Sequence, residues 1–202
     1  MKAEFLLTLA HVSQFLELFP GGPFLKGRRE PRVAVVGRSN VGKSSLINAL
    51  LQTRLAQTSG SPGKTRAIHF YHWKDAGKII ADLPGFGYAR AAKTERDRWE
   101  VFIDLYFKKE ENLDRVLLLL DARHGPTDID RKAIQFLSLR NIPVTFVFVK
   151  ADTLKTQAQR ALRQKETKSA LSELGIEPEG VFWVSSHDQT GIKELARELS
   201  VK

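Results

Sequence analysis

Residues 32–51 read RVAVVGRSNVGKSSLINALL, and no other stretch narrows the possible folds of this chain as far. Residues 32–36 form a short run rich in β-branched side chains, while Leu46, Ile47, Leu50 and Leu51 share one face of a helix. Between them Gly37 and Gly42-Lys43-Ser44 stand at the spacing G-x-x-x-x-G-K-[ST]. The glycines let the backbone curl until its N–H groups converge on a concave anion site at a helix N-terminus. A chance glycine-rich turn needs no strand before it and no helix after it; here strand, loop and helix arrive in the required order. Gly37, Arg38, Ser39, Asn40, Val41, Gly42, Lys43, Ser44 and Ser45 are therefore expected to wrap the phosphates of a nucleoside triphosphate. Lys43 is assigned to the β- and γ-phosphates, and Ser44 to a Mg²⁺ that bridges them.

The rest of the chain alternates between strand and helix patterns. Residues 67–73 and 78–83 are predicted strands joined by a turn at Lys74-Asp75-Ala76-Gly77. Thr94, with Asp97 three residues on, opens a helix whose inward face is Trp99, Phe102, Ile103 and Tyr106, a core stripe rather than a ligand site. Residues 115–120 are a buried strand closed by Asp121, and a helix from Thr127 is expected to turn Ile129, Ala133, Phe136 and Leu137 inward. A strand over 144–149, a helix over 156–174, a strand over 181–184 and a helix over 191–199 complete the series. Such alternation predicts an α/β fold: a mainly parallel six-stranded sheet with one antiparallel strand, from the hairpin, and helices on both faces. Residues 1–31, with turn signals at Pro20-Gly21-Gly22-Pro23 and Pro31, are expected as a leader packed on or beside a domain spanning 32–202. Phe5, Leu7 and Leu9 alternate within it, which allows a short strand on the sheet edge. Ligands in such sheets bind beyond the carboxyl ends of the strands.

Composition sets the outer bounds. The 202 residues, 42% of them hydrophobic, suffice for one domain with a sizeable core. Cysteine is absent, so disulfides, cysteine-based metal sites and thiol nucleophiles are excluded, which fits a reducing cytoplasm. The longest apolar runs, 116–120 and 144–149, are too short to span a bilayer. At the N-terminus Glu4 precedes the apolar run, His11 and Glu17 interrupt it, and no small-x-small cleavage site follows; a cytoplasmic chain without membrane contact is expected. The net charge of +9 is uneven: five Lys/Arg against one acid over 54–78 and five against two over 155–173, but six against five over 86–110. Solvated surface lysines alone would be spread more evenly, so the pattern favours a polyanionic partner without saying which.

Further motifs follow predicted strands. Asp82-Leu83-Pro84-Gly85 can hold the metal, through a water on the Asp82 carboxylate, and meet the γ-phosphate with the Gly85 N–H. Alone, D-x-x-G is an ordinary turn; at a strand end behind the phosphate loop it is specific. Val149-Lys150-Ala151-Asp152 selects the base: the Asp152 carboxylate accepts from both N1–H and the N2 amino group of guanine. Adenine lacks that donor pair, and a site built on such bonds can reject it by roughly 10⁴–10⁵-fold. The Lys150 stem can cover the base. Asp152 could also serve as an N-cap, since Thr153-Leu154 follow. Val184, Ser185 and Ser186 complete the pocket, with loop N–H groups toward guanine O6. A mobile segment should carry a threonine that closes on Mg²⁺ when the γ-phosphate is present. Thr65 in Pro62-Gly63-Lys64-Thr65-Arg66 is chosen, with Thr58 as runner-up. Lys43, Thr65 and Gly85 are thus the expected catalytic groups, and Ser44, Thr65 and Asp82 the metal ligands. Gly63, Lys64 and Arg66 flank the nucleotide, and the segments 60–66 and 84–93 are the expected switches.

The order GRSNVGKS, PGKTR, DLPG, VKAD, SS resembles the translation-factor-related GTPases, and more closely the EngB-type ribosome-biogenesis GTPases. RSNVGKSSLINALL, DLPGFGYA followed by Trp99, and DARHGPTDID from Asp121 carry the closer likeness, which runs from about Arg32 to Leu199. Ser61 stands where that family commonly has Thr, and Val149 where Thr often precedes the Lys. The resemblance implies a P-loop GTPase fold, GTP and GDP as ligands, a role in assembling the large ribosomal subunit through rRNA or ribosomal protein, and an association with cell division and septation. A monomer is expected. Phe86 follows the D-x-x-G and cannot orient a water as the glutamine of signalling GTPases does, so intrinsic hydrolysis should be slow. Asn40 is similar to the asparagine that holds K⁺ in some related GTPases; a loop-shaping role is the equal alternative. Other readings are another RNA-acting GTPase of that group, an RNA-binding module with a structural nucleotide site, and a P-loop phosphotransferase, for which no arginine-rich lid is found.

Overall fold

The computed structural model describes residues 2–14, 28–57, 67–86, 93–140, 142–173, 175–176 and 180–200, with side chains between 93 and 99 outside the description. Seven strands form one sheet: β1 (Ala3–Leu9), β2 (Arg32–Gly37), β3 (Ile68–Trp73), β4 (Lys78–Asp82), β5 (Leu113–Asp121), β6 (Val144–Val149) and β7 (Val181–Trp183). Among the described residues, five complete helices accompany it: α1 (Lys43–Leu51), α2 (Lys93–Lys109), α3 (Asp128–Ser138), α4 (Gln157–Glu173) and α5 (Ile192–Ser200). The spatial order is β1-β3-β4-β2-β5-β6-β7. All neighbours from β4 to β7 run parallel, while β3 is antiparallel to both β4 and β1. The α/β sheet therefore has seven strands rather than six, because β1 joins its edge.

The strand β1 departs from simple alternation. A register shift between Phe5 and Leu7 inserts one extra residue, so the two halves of the strand present opposite faces. Ala3 packs with Val33 and Tyr71 on one side of the sheet, and Leu9 with Ile68 and Phe70 on the other. Phe5 is left half exposed, edge-on to Tyr71 at 5.8 Å.

The central strands are buried on both faces, which is why their sequences run as unbroken apolar blocks. In β5, Val116, Leu118 and Leu120 face the layer that holds Phe102, Ile103 and Tyr106 of α2, Ile134 and Leu137 of α3, and Leu171 of α4. Leu117 and Leu119 face the layer of Leu46, Ile47, Leu50 and Leu51 from α1 and Ile192, Leu195 and Leu199 from α5. The aromatic stripe of α2 is core as expected, with Tyr106 fully buried, while Thr94, Asp97 and Trp99 lie among the side chains outside the description. Helix α3 differs from the expected face. Ile129 is 41% exposed, and the inward position of the first turn is taken by the fully buried Asp130. The cause is a capping box: Asp130 Oδ2 accepts from the backbone N–H and the hydroxyl of Thr127, at 2.9 and 2.7 Å, which turns this residue back toward the helix start. Ile134 and Leu137 are buried in the core, and Ala133 and Phe136 pack against it part-buried, so the departure from the expected face lies in the first turn and in Ile134.

Candidate nucleotide-binding site

The loop between β2 and α1 closes exactly where the sheet turns into helix, and its neighbour is the segment that follows β4. Phe86 N–H donates to Gly37 O at 3.2 Å and Ser39 N–H to Phe86 O at 3.0 Å, so the two motifs are laced side by side. A Cβ on Gly85 would stand 2.9 Å from the Ser39 backbone and 3.0 Å from Lys43 Nζ; only glycine permits this approach. Gly42 at φ +123 and Asn40 at φ +61 give the loop its curl. Asparagine tolerates the left-handed region, and the side chain of this one is exposed to solvent. Among the described residues no side chain caps α1, and no acid stands in its first turn, in contrast to the capping box of α3. The N–H groups at the start of α1 are thus left for an anion.

Two of the charged groups at this point face each other in a dry setting. Burial lowers the pKa of Lys43, with the charge of Asp82 opposing the shift. Burial raises that of Asp82 to about 6, with Lys43 opposing. Asp82 is 2% exposed, and its Oδ1 has no hydrogen-bond partner among the described residues. A buried, unpartnered carboxylate oxygen is costly unless something outside the chain completes it. Mg²⁺ suits this arrangement, since it takes one or two protein groups, keeps several waters and draws its remaining ligands from phosphates. Among the described residues no cluster of three or more His, Cys, Asp or Glu offers a metal cage of the protein's own. The side chain of Arg38 turns away from the phosphate cradle, with Nε 3.4 Å from Oδ1 of the buried Asp130. This residue contributes backbone to the loop and ties it to α3.

The second half of the site lies beyond β6 and β7. Ala151 N–H donates to Val184 O at 3.0 Å, which docks the 149–152 turn onto the loop after β7. Lys150 sits at φ +63, and its Nζ donates to Asp121 Oδ2 at 2.9 Å and to Asn40 O at 3.3 Å. Base motif and phosphate loop are thereby joined through one side chain. Asp152 lies in a single 3₁₀ turn, Ala151–Thr153, that is not continued into α4, and it caps no helix. Instead Thr156 Oγ1 accepts from Gln159 N–H at the start of α4. The Asp152 carboxylate is half-buried and has no partner among the described residues, as a group reserved for a ligand would. Ser185 is fully buried, and its hydroxyl oxygen accepts from the N–H groups of His187 and Asp188 at 3.1 and 3.3 Å. It shapes the loop while Ser186, partly exposed, stands on the open side. Gly191 is required behind it: at φ +68, a Cβ there would lie 2.3 Å from Trp183 O.

The structure therefore brings together the residues expected from 37 to 45, 82 to 85, 149 to 152 and 184 to 186. Gly63, Lys64, Thr65 and Arg66, together with Thr58 and the switch residues 87–92, lie outside the described residues. Two participants were not anticipated as site groups. Asp121 and Arg123 enter through a carboxylate that closes a run of leucines, a charge at a strand end that had only marked a family motif. No described helix is long and apolar enough to cross a membrane.

Comparison with known proteins agrees with this geometry. Residues 32–150 match the family described as 50S ribosome-binding GTPase. The probable GTP-binding protein EngB of Desulfovibrio desulfuricans is 38% identical over 96% of this chain and 90% of its own length. That of Thermotoga maritima is 42% identical over 86% of this chain and 85% of its own length. Among solved structures, a probable GTP-binding protein engB superposes with a TM-score of 0.63 at 27% identity, covering 84% of this chain and 98% of that one. Era of Aquifex aeolicus shares the fold at a TM-score of 0.67 and 23% identity, over 84% of this chain and 55% of its own. With a phosphate-loop motif and a D-x-x-G turn laced to it in one place, and with these matches over most of its length, the chain belongs to the EngB family of GTP-binding proteins and is a P-loop GTPase.

Proposed function

We propose that this GTPase is a switch that acts in assembly of the large ribosomal subunit, binding it or its precursor through rRNA or ribosomal protein in the GTP state. The observation that carries the proposal is the match of residues 32–150 to a family described as 50S ribosome-binding, joined to a net charge of +9 suited to a polyanion. Mg²⁺, when bound, would neutralise charge between the β- and γ-phosphates, with Ser44, Asp82 and Thr65 as the groups to hold it. Lys43 would add a fixed positive charge at the same phosphates, and the Gly85 N–H would meet the γ-phosphate. Asp152 would read guanine N1–H and N2, between the Lys150 stem and the 184–186 loop. Because Phe86 is packed in the core and offers no polar group to a water, hydrolysis by the chain alone would be slow. A cytoplasmic setting, a monomer, a link to division and septation, and K⁺ beside Asn40 belong to the same reading, as does a leader over 1–31 beside a GTP-binding domain over 32–202.

Subunit pelleting at fixed salt with GDP, a non-hydrolysable GTP analogue or no nucleotide tests the switch. Binding should be strongest with the analogue and fall steeply as salt rises. Equal binding in all three states would leave only nonspecific adhesion of a basic protein. Base reading is tested separately: Asp152→Asn should lose guanine nucleotides and gain xanthine nucleotides, because the amide donates where xanthine O2 accepts. Calorimetry showing unchanged GDP affinity would remove Asp152 from that role.

A further inference from the structure

Asp121 closes β5, and neither phosphate nor base chemistry uses it directly. Its side chain is only 4% exposed. Its register partner on β6 is Val149, the residue just before Lys150. Among the described residues, the four donors to this carboxylate come from two side chains and one backbone N–H, all belonging to Arg123 and Lys150. Oδ1 accepts from the backbone N–H and Nε of Arg123 at 3.0 and 2.9 Å, and Oδ2 from Arg123 Nη2 at 2.7 Å and Lys150 Nζ at 2.9 Å. Burial raises the Asp121 carboxyl, but the hydrogen bonds from Arg123 and Lys150 outweigh it and hold the group below the usual carboxylate range. The carboxylate is a fixed anion.

Lys150 has a second, longer anchor on Asn40 O at 3.3 Å, a neutral carbonyl. With its ammonium tied at the far end, the flexible four-carbon stem is confined to one course beside the base position. An untied ammonium next to a triphosphate would be drawn toward the phosphates and carry the stem with it. Arg123, about half exposed, braces the carboxylate from the other side with two parallel bonds, so that the anion itself stays in place.

We propose that Asp121 is a positioning residue for guanine nucleotides, holding the Lys150 ammonium so that its stem stays over the base and its charge stays off the phosphates. This rests on the reading that the base lies between the 149–152 and 184–186 segments. The experiment is release of fluorescently labelled GDP, followed by stopped flow, in a double-mutant cycle. Asp121→Ala should speed release about tenfold, the worth of one charge-assisted hydrogen bond. Lys150→Met keeps an apolar stem and has no ammonium to hold; in that background Asp121→Ala should add less than about twofold. A purely structural Asp121 would act equally in both backgrounds, and that additivity would overturn the proposal, as would an unchanged rate in Asp121→Ala. Should Asp121→Ala fail to fold by thermal melting, the isosteric Asp121→Asn carries the same cycle, with about a threefold rise expected from the lost charge. Equal affinity of the unaltered chain for ADP and GDP would overturn the guanine reading itself; that measurement precedes any substitution, so the two failures are distinct.

Discussion

At the amino ends of the strands, Arg32 Nε stands 3.1 Å from Glu110 Oε2, and Lys78 Nζ 2.7 Å from Asp114 Oδ2. Arg32, Lys78 and Glu110 are all buried, and each has an opposite charge supplied by the chain. At the carboxyl ends Asp82 is as deeply buried and senses the charge of Lys43, yet among the described residues its Oδ1 accepts no hydrogen bond and Asp152 has no partner. One sheet thus treats buried charge in two ways. Away from the candidate site, these charges are neutralised within the chain. At the candidate site, Asp82 and Asp152 are left incomplete although Asp121 nearby is paired by Arg123 and Lys150, and the folded protein carries that cost until a ligand arrives.

The comparison breaks most visibly at Lys43. Removing it should weaken GDP and GTP binding by about a thousandfold or more, since it faces two phosphates, while the melting temperature without nucleotide stays near or above that of the parent. Calorimetry beside a thermal melt reads both halves, and near-native affinity would end its assignment. The mirror case is Glu110→Ala, which strands the buried Arg32 guanidinium. A loss of about 3–5 kcal/mol in urea unfolding is expected, with GDP affinity per folded molecule unchanged.

Asp82 sharpens the contrast through pH. Burial holds its pKa at about 6 against an ordinary 3.8, so the folded, metal-free chain binds this proton more tightly than the unfolded chain. Stability from this group is complete below the unfolded value and is lost as pH rises from about 4 to about 6. Asp82→Asn, neutral throughout, should be more stable than the nucleotide-free parent by about 2–3 kcal/mol near pH 7.5 and no more stable near pH 4. Urea series at the two pH values check this; a difference that does not vary with pH would mean that the open carboxylate carries no such cost. The smallest effect belongs to a polar group near the site that is already paired. Thr127→Ala opens the capping box of α3 and should cost about 1 kcal/mol without altering nucleotide affinity. A change in affinity there would show that the link from Asp130 to Arg38 carries the cap's geometry into the phosphate loop.

What could be read from the chain in order is whatever is encoded within a few residues. The phosphate loop, D-x-x-G and V-K-A-D are local spacings attached to strand ends, and the apolar periods of α1, α2 and α5 name their own buried faces. The sequence alone therefore determined the α/β alternation and the P-loop GTPase family, and it pointed to the carboxyl ends of the strands as the place of the candidate site. It did not determine how β1 meets the sheet, because a one-residue bulge reverses which alternate positions are inside, and only the partner strand fixes the register. Nor did it reveal that Ile129 yields its inward position to Asp130, since a helical period counts apolar residues and is blind to a carboxylate held by a cap and an arginine from another loop. The bond from Lys150 to Asp121 joins groups 29 residues apart. Tertiary structure decided it, for a physical reason: a hydrogen bond depends on where two parallel strands end side by side in space, and no periodicity along the chain records that.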